Sequence, residues 1–463
     1  MTMDRQPDLV LTGTFDEDDE RTWRHVPFHV PSGVDQMQLT VSYNDQIGSN
    51  PFLRGGNTLD IGLFDQQGIE AGSPGFRGWS GSDKLQFTIG SDWSTPPYRA
   101  GKLCTGAWNV LLGAYKVGPM GLSYRVEVHF NPGLAHPASP PAPNIHELAR
   151  AIIKRKPGWY CGDLHMHTVF SDGSSWPSEV AAAAFQLGLD FLGITDHNRA
   201  QSPVDFVPQG GGWPVLVPGV EVTTYAGHFN VWGTDTWYDF RVPTAEGLQA
   251  AVDAARADHG FVSLNHPKPY GPDWDYPEVV GFDAIEAWNG WWNRLNNVST
   301  RYWNYRLTEG EHIWGLGGSD MHMLISGGDE DNPLSPAQLG TPTLWIQTDE
   351  PLRADAILDA LRAGRHFISE SPTGPQLYLD LEPDGDMLHV HVISAQGDAL
   401  LLIGPSGVLD ASTIDLDNFE FFWPMEFFEG TGTIRPPYVR IEIHRVGGGI
   451  RALSQPIWLS PKT

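Results

Sequence analysis

The first part of this 463-residue chain alternates apolar and polar positions in short runs. Turns rich in Gly, Asn, Asp and Ser separate the runs. Alternation with a period of two is typical of strands that bury one face, and several such strands in succession indicate an antiparallel β-sandwich. We therefore predict an N-terminal sandwich domain over residues 1–131, with strands at 37–44, 58–65, 84–90, 108–115 and 124–130.

The middle of the chain has a different pattern, in which short, wholly apolar runs alternate with helical stretches. Apolar runs of this kind are typical of parallel strands buried on both faces. Capping signals such as Thr244 and the stop at Gly188 delimit some of the helices. The pattern predicts an α/β barrel over residues 158–370. Its strands are expected at 159–164, 191–195, 215–220, 261–265 and 313–318, and its helices at 177–187, 244–259, 297–309 and 352–363.

Two further segments complete the predicted organisation. Residues 132–157 begin with a Pro-rich stretch, NPGLAHPASPPAPN, and continue into a basic stretch that predicts a short helix over 145–156. A Pro-rich linker suggests that few contacts cross between the sandwich and the barrel. From residue 371 to residue 463 the strand pattern returns, which predicts a small C-terminal β domain.

Polar residues that can bind metal stand at the carboxyl ends of the predicted barrel strands. They occur in five phrases: GDLHMHTVFSDG at 162–173, ITDHN at 194–198, GVEVTTYAGHFNVWG at 219–233, SLNHP at 263–267 and GGSDMH at 317–322. Side chains at the carboxyl ends of barrel strands converge on one face, so residues far apart in sequence can form one site. The candidate ligands are His165, His167, Asp172, His197, Glu221, His228, His266, Asp320 and His322.

This ligand set indicates a centre with more than one metal ion. Imidazole and carboxylate groups suit Zn, Mn and Fe. The set is too large for one ion that must also hold water, whereas two or three ions that share a bridging carboxylate would use it. We therefore expect two or three divalent ions as cofactors, because clustered ions can make hydroxide at neutral pH and clamp a scissile bond.

Together, the five phrases resemble the PHP superfamily, the metallohydrolases named after polymerase and histidinol phosphatase domains, and within it the CehA/McbA-like branch. The resemblance covers roughly residues 158–370 and implies a distorted (β/α)7 barrel. Some relatives have a histidine near the position of Asp172. Because a carboxylate lowers the net charge of the third site, the occupancy of that site by an ion depends on this difference. The resemblance implies a first ion on His165, His167, Glu221 and Asp320, a second on Glu221, His228 and His266, and a third on Asp172, His197 and His322.

The expected function is that of a metal-dependent hydrolase. A hydroxide bridging two ions would attack phosphorus or a carbonyl carbon, and Asp320 and His266 are the expected proton carriers. The bond cleaved would be a phosphoester, or alternatively an aryl ester, carbamate or amide. A non-catalytic sugar- or metal-binding protein is the alternative from a different class.

The substrate would be a small molecule, and several residues are candidates for contacting it. Lys268 could meet an anionic group or be a solvated loop lysine. The tryptophans after the predicted strand near residue 286 could line an aromatic rim or pack in the core. The candidates for substrate contact are Lys268, Tyr225, Trp288, Trp291 and Trp292.

Charge and composition limit the classes of partner that the protein can bind. The net charge of −27 argues against nucleic acid and anionic membranes as partners, since both would be repelled. The N-terminus lacks a signal-peptide pattern, and Cys104 and Cys161 give no disulfide framework, which leads us to expect a cytoplasmic protein. The β domains could also support a homo-oligomer.

Overall fold

The N-terminal part of the chain is built from two four-stranded antiparallel sheets. The computed structural model describes residues 5–50, 52–137, 139–269, 271–325, 332, 335–382, 387–424 and 436–459. The strands before residue 131 are β1 (Leu9–Phe15), β2 (Thr22–Val30), β3 (Gln36–Tyr43), β4 (Thr58–Phe64), β5 (Phe76–Gly81), β6 (Gln86–Gly90), β7 (Gly106–Lys116) and β8 (Leu122–Phe130). The sheets have the orders β1-β8-β3-β6 and β2-β7-β4-β5.

The two sheets pack face to face as the alternating pattern predicts. Leu39 and Val126 of the first sheet share a buried core with Ile61 and Val110 of the second. A short 3-10 helix, Glu17–Asp19, lies between β1 and β2. We call this unit the sandwich (residues 9–130).

The central region (residues 158–370) alternates strands and helices, and its described strands do not close into a barrel. Its strands are β9 (Trp159–Asp163), β10 (Phe191–Leu192), β11 (Val215–Leu216), β12 (Gly219–Thr224), β13 (Gly227–Trp232), β14 (Phe261–Leu264), β15 (Ala284–Asn289), β16 (Trp314–Gly318), β17 (Thr343–Gln347) and β18 (His366–Ser369). Its helices are α1 (Pro177–Leu187), α2 (Ala245–Ala257), α3 (Asn296–Thr308) and α4 (Ala354–Arg362), with a 3-10 helix at Pro203–Phe206.

The strands of the central region are divided between two open sheets, which differs from the predicted seven-stranded barrel. One sheet runs β12-β13-β14-β15-β16, and the other begins β11-β10-β9-β17-β18. A two-residue connection separates β12 from β13, so these strands must pair antiparallel instead of through a helical crossover. The parallel pairs β9–β10 and β14–β15 keep the expected α/β character.

The predicted helices of the central region are confirmed, and local sequence explains their ends. Thr244 caps α2 by accepting a hydrogen bond of 3.2 Å from the backbone N–H of Gly247. Gly188 ends α1 with a φ of +82°, a left-handed conformation that glycine adopts without steric cost.

The C-terminal strands continue a sheet of the central region. They are β19 (Gln376–Leu381), β20 (Met387–Ile393), β21 (Ala399–Gly404), β22 (Gly407–Thr413), β23 (Asn418–Pro424), β24 (Tyr438–His444), β25 (Ile450–Ser454) and β26 (Ile457–Trp458). β25 pairs with β18, so the second sheet extends as β18-β25-β24-β21-β22, while β19-β20-β23 form a separate sheet. Residues after 371 therefore share hydrogen bonds and a core with the central region.

The helix predicted over 145–156 is wrong beyond its first turn. The chain has a 3-10 helix at Ile145–Glu147 and is irregular from residue 148 to 156. Arg150 and Arg155 both bind the carboxylate of Asp190. Residues five apart in an α-helix point about 140° away from each other, so a helix could not direct both side chains to one carboxylate.

The sandwich packs extensively against the central region. Phe64, Phe76, Trp79 and Leu111 of its second sheet belong to the same buried cluster as the core of the central region. The sequence-based expectation that few contacts cross between these parts is therefore wrong. The composition of the linker does not determine how much apolar surface the two folded parts bury against each other.

Candidate metal centre and its cavity

Loops just beyond the strand ends bring the candidate ligands together. The loop after β9 and the loop after β16 are joined by an isolated parallel bridge between Met166 and Met321. A second such bridge joins His197 to Glu221. The bridges continue strand geometry past the sheet ends, so alternate residues of the loop after β9 face the same side.

Four candidate ligands form a first cluster. The ligand atoms of His165, His167, Glu221 and Asp320 all lie within 4.8 Å of one another. Nε2 of His167 is 3.0 Å from Oδ1 of Asp320 and 3.3 Å from Oε2 of Glu221. Nε2 of His165 is 3.4 Å from each of these two oxygens. These are the residues that the resemblance assigns to a first ion.

Glu221 is shared with a second cluster through its other oxygen. Oε1 lies 3.1 Å from Nδ1 of His228 and 3.2 Å from Nε2 of His266, and it accepts a hydrogen bond of 2.9 Å from Asn265. The ligand atoms of His197, Glu221 and His228 fall within 4.8 Å of one another, a group that does not include His266. A carboxylate whose two oxygens face different histidines has the geometry of a bridging ligand.

A third cluster gathers His167, Asp172, His197 and His322, again within 4.8 Å. Oδ1 of Asp172 is 3.3 Å from Nε2 of His322 and 3.5 Å from Nε2 of His197. The side chain of Asp172 is 41% exposed, so this cluster lies at the open side of the centre. The structure thus brings all nine candidate ligands to one place, with His266 touching it through Glu221.

Buried polar atoms without hydrogen bonds mark the middle of the centre. Among the described residues, Nε2 of His165 and Oε2 of Glu221 are buried and have no hydrogen-bond partner, although Oε2 lies 2.9 Å from Nδ1 of His197. Burying such atoms costs free energy unless a hydrogen-bond partner or a cation interacts with them. Nitrogen and carboxylate oxygen atoms that face a common point suit a divalent cation, so the residues present fit metal ions.

Charges inside the centre shift its pKa values. Burial would raise the pKa of Glu221, but the neighbouring histidines, His165 first, hold it well below its usual range. Burial lowers the pKa of His167 to about 3. Burial also opposes protonation of His322, yet the Asp172 carboxylate raises its pKa to about 10. An anionic Glu221 and a neutral His167 are in the protonation states that ligands need.

Glu286 holds two of the ligand segments in place from outside the cluster. Its Oε1 is 2.8 Å from Nδ1 of His165, and its Oε2 accepts a hydrogen bond of 3.0 Å from the backbone N–H of His266. A carboxylate on the second ring nitrogen fixes the orientation and basicity of a metal-binding imidazole.

Two buried aspartates organise the loops of the centre. Asp163 accepts backbone hydrogen bonds from Ser319 at 3.1 Å and from Gly340 at 2.8 Å, which holds the segment before Asp320. Asp196 accepts three hydrogen bonds from Thr168 and Ser171 and so shapes the loop after His167. We did not predict a role for Asp163, although its place in the GDLHMH phrase was a signal for it.

Two of the candidate ligands have a strained backbone. His266 has a φ of +28° and Asp320 has a φ of +55°. Non-glycine residues in this region cost about 1–3 kcal/mol each and persist where the surrounding structure enforces them, commonly at functional sites.

A cavity of about 550 Å³ opens onto the second and third clusters. The central region contributes Asp172, His197 and His228 to its wall, together with Tyr225, which we predicted as a substrate contact. The sandwich contributes the opposite wall. Its chemically distinctive members are Asp60, Trp79 and Tyr115. No pattern within the sandwich sequence pointed to these residues, because their role depends on docking against a distant part of the chain.

Lys268 does not lie free at the rim of this cavity. It is 3% exposed, and its Nζ donates to the backbone oxygen of Asn289 at 2.8 Å and to Oδ1 of Asn296 at 2.9 Å. Burial lowers its pKa to about 7. These contacts give Lys268 a structural role in joining β15 to α3.

The three predicted tryptophans also lie away from this cavity. Trp288 and Trp291 are buried, and their indole N–H groups donate to the backbone oxygens of Gly290 and Pro336. Together with Trp292 they line a different cavity, of about 570 Å³, beside Glu370 and Arg445. The aromatic residue beside the candidate ligands is instead Trp79, whose ring centroid is 6.3 Å from that of His197.

The comparison with family models agrees with the location of this centre. The family model of the PHP domain matches residues 163–227. The chain is similar to the crystal structure of a two-domain protein containing a predicted PHP-like metal-dependent phosphoesterase from Bacteroides vulgatus ATCC 8482. The identity is 17%, the match covers 67% of this chain and 99% of that one, and the TM-score is 0.37. No curated protein matches the chain.

Within the described ranges, no helix combines the length and the apolar character that crossing a bilayer requires.

Proposed function

We propose that this protein is a metal-dependent hydrolase of the PHP superfamily that cleaves phosphoesters. The observation that carries the proposal is the position of Glu221, whose two carboxylate oxygens face separate groups of histidines. The match of residues 163–227 to the PHP domain supports it. Assignment to the CehA/McbA-like branch is a finer part of the same proposal, supported by the five sequence phrases.

The ligand residues have separate tasks in this proposal. His165, His167 and Asp320 would hold one ion, and Glu221 would bridge to a second ion on His228 and His266. Asp172, His197 and His322 would hold a third ion at the open side. Two or three bound ions, of Zn, Mn or Fe, would supply Lewis acidity and lower the pKa of water to near neutrality.

The chain's own groups would handle protons and position the substrate. Asp320 and His266 lie on opposite sides of Glu221, and the buried Nδ1 of His266 has no hydrogen-bond partner in the described part of the chain. They are our candidates for holding and passing the proton of the attacking water and of the leaving group. The cavity wall formed by Tyr225 and the sandwich would exclude water from the remainder of a small-molecule substrate.

A second candidate reaction is cleavage of an aryl ester, carbamate or amide. The observation that favours it is the aromatic lining of the cavity by Trp79, Tyr115 and Tyr225. Both reactions use the same ligands, so substrate chemistry must separate them. Homo-oligomer formation through the β regions is an independent proposal, addressed by the mass of the protein in solution.

The test is a substrate panel with metal content measured on the same preparations. Phenyl phosphate, phenyl acetate and phenyl N-methylcarbamate share one leaving group and differ in the bond cleaved. We expect hydrolysis of the phosphate, loss of activity on chelation and recovery on addition of Zn, Mn or Fe. Hydrolysis of the carbamate or acetate alone would replace the phosphoesterase proposal with the second candidate. A metal-loaded protein that cleaves none of the three would contradict both.

A further inference from the structure

The wall that the sandwich contributes to the cavity contains a buried carboxylate. Asp60 is 6% exposed and lines the cavity. Its Oδ2 accepts a hydrogen bond of 2.8 Å from the phenol of Tyr225. Across the described residues, that is the one side-chain hydrogen bond of Asp60, and no Lys or Arg nitrogen lies within ion-pair distance of it. A carboxylate buried in this way is costly unless it meets a donor or a cation.

Lys116, a basic group of the sandwich whose charge acts on Asp60, forms no ion pair with it among the described residues. Nζ of Lys116 donates to the backbone oxygens of Gly48, at 3.0 Å, and Asn50. Burial raises the pKa of Asp60 to about 7, against the lowering effects of Tyr225, His197 and Lys116. The protein therefore holds a poorly compensated carboxylate in a cavity wall that faces the candidate ligands.

Aromatic rings line the same cavity as this carboxylate. The ring centroids of Tyr115 and Tyr225 are 5.2 Å apart, and both residues line the cavity with Asp60. Trp79 lines it too and is 7% exposed, and its buried indole N–H has no hydrogen-bond partner among the residues that the structure describes. A carboxylate beside tyrosine and tryptophan rings is suited to an organic ammonium group, which gains from both the charge and the ring faces.

We propose that Asp60, Tyr115 and Trp79 of the sandwich bind an ammonium group on the substrate, so that the substrates are phosphoesters of alcohols or phenols that carry a primary amine. The phosphoester part rests on the proposed function, whereas the ammonium contact does not. The net charge of −27 favours the approach of a cationic group to the protein.

The ammonium contact is tested by binding, without any hydrolysis. Tyramine and 4-propylphenol have nearly the same shape and differ in the charged amine. Calorimetry on the metal-loaded protein should show tyramine binding at least about 10-fold more tightly. Asp60→Asn keeps the shape and an acceptor for Tyr225 but removes the charge, so it should abolish this preference. Asp18→Asn, on an exposed part of the sandwich away from the cavity, should keep it.

Tyr115→Leu is a second variant, which keeps the carboxylate and removes one ring. It should weaken tyramine binding and leave 4-propylphenol binding less affected. Equal binding of the two probes by the wild-type protein would overturn the inference, as would an Asp60→Asn protein that folds and retains the preference.

The substrate class is tested by kinetics on a matched pair. O-phosphotyramine should be hydrolysed with a kcat/KM at least about 10-fold above that of 4-propylphenyl phosphate, and Asp60→Asn should equalise the two. Tyramine preference without hydrolysis of either phosphate would leave the ammonium site standing and contradict the phosphoesterase proposal. Hydrolysis of both phosphates at equal rates would support the phosphoesterase and overturn the ammonium site.

Discussion

Tyr225 of the central region donates a hydrogen bond of 2.8 Å to Asp60 of the sandwich. Gly113, the strand partner of Asp60, makes this approach possible, because a Cβ at that position would lie 2.2 Å from the phenol oxygen. The ring of Tyr225 also stacks on Trp23 of the sandwich, with centroids 4.6 Å apart. The two parts of the chain are therefore joined at the edge of the candidate site.

The first prediction concerns the sandwich alone. A fragment of residues 1–131 would expose the apolar face that carries Phe76 and Leu111, so we expect it to associate or aggregate. Size-exclusion chromatography with light scattering measures this. The same fragment with Phe76→Ser and Leu111→Ser should stay closer to monomeric. A monomeric, cooperatively melting wild-type fragment would show that this face does not need its partner.

The second prediction compares two carboxylate ligands. Glu221→Gln should reduce activity by more than the roughly 10–100-fold typical of changes outside the ligand set, because an amide cannot supply two anionic oxygens to separate ions. Asp172→Asn, at the 41% exposed third cluster, should lose less activity and at most one metal equivalent. Elemental analysis and kinetics on both variants check this. Equal losses in two folded variants would contradict a bridging role for Glu221.

The third prediction concerns the carboxylate behind His165. Glu286→Gln should weaken metal binding by roughly 10–100-fold while the protein stays folded, because an uncharged amide has one acceptor oxygen for two ligand segments and no longer raises the basicity of the imidazole. Competition with a chelator measures the affinity. Glu278→Gln, an exposed change in the same region, serves as the matched control. Unchanged affinity in Glu286→Gln would remove the positioning role.

The fourth prediction uses the same substitution to distinguish a substrate-contact role of Trp79 from a packing role of Trp288. Trp79→Phe should raise KM for aryl substrates by about 3- to 10-fold, because Trp79 lines the cavity of the candidate site. Trp288→Phe should instead lower stability by about 1–3 kcal/mol with KM unchanged, because Trp288 is 1% exposed and packs in the core. Thermal melts measure the stability of both variants, and kinetics measure their KM. A raised KM in Trp288→Phe would restore it as a substrate contact.

The fifth prediction concerns pH and the C-terminal strands. Burial opposes ionisation of Glu442, but Arg440 and His444 lower its pKa to about 2. A carboxyl whose pKa is depressed on folding adds stability above its ordinary pKa of 4.5, and this is lost as the pH falls towards 2. Glu442→Gln should therefore be less stable than wild type near neutral pH, with a gap that narrows below pH 4.5. Urea midpoints across that range measure it, and a gap that widens in acid would contradict the assignment.

Much of the local structure could be predicted from the sequence because its causes are local. Capping by Thr244, the stop at Gly188 and the apolar periods of the strands act over a few residues, and the helices formed where they indicated. The short helix over 145–156 failed because Asp190, which is distant in sequence, holds Arg150 and Arg155.

The sequence by itself determined the chemistry of the candidate centre. Histidines and carboxylates at strand ends can be recognised without coordinates, because metal binding demands those side chains and strand ends place them together. Only the tertiary structure decided what faces the centre. Asp60 and Trp79 reach the cavity through docking of the sandwich, and Trp288 is excluded from it by packing. Contacts of this kind depend on how apolar faces from distant parts of the chain pack together. The spacing of residues and the motifs along the chain do not predict that packing.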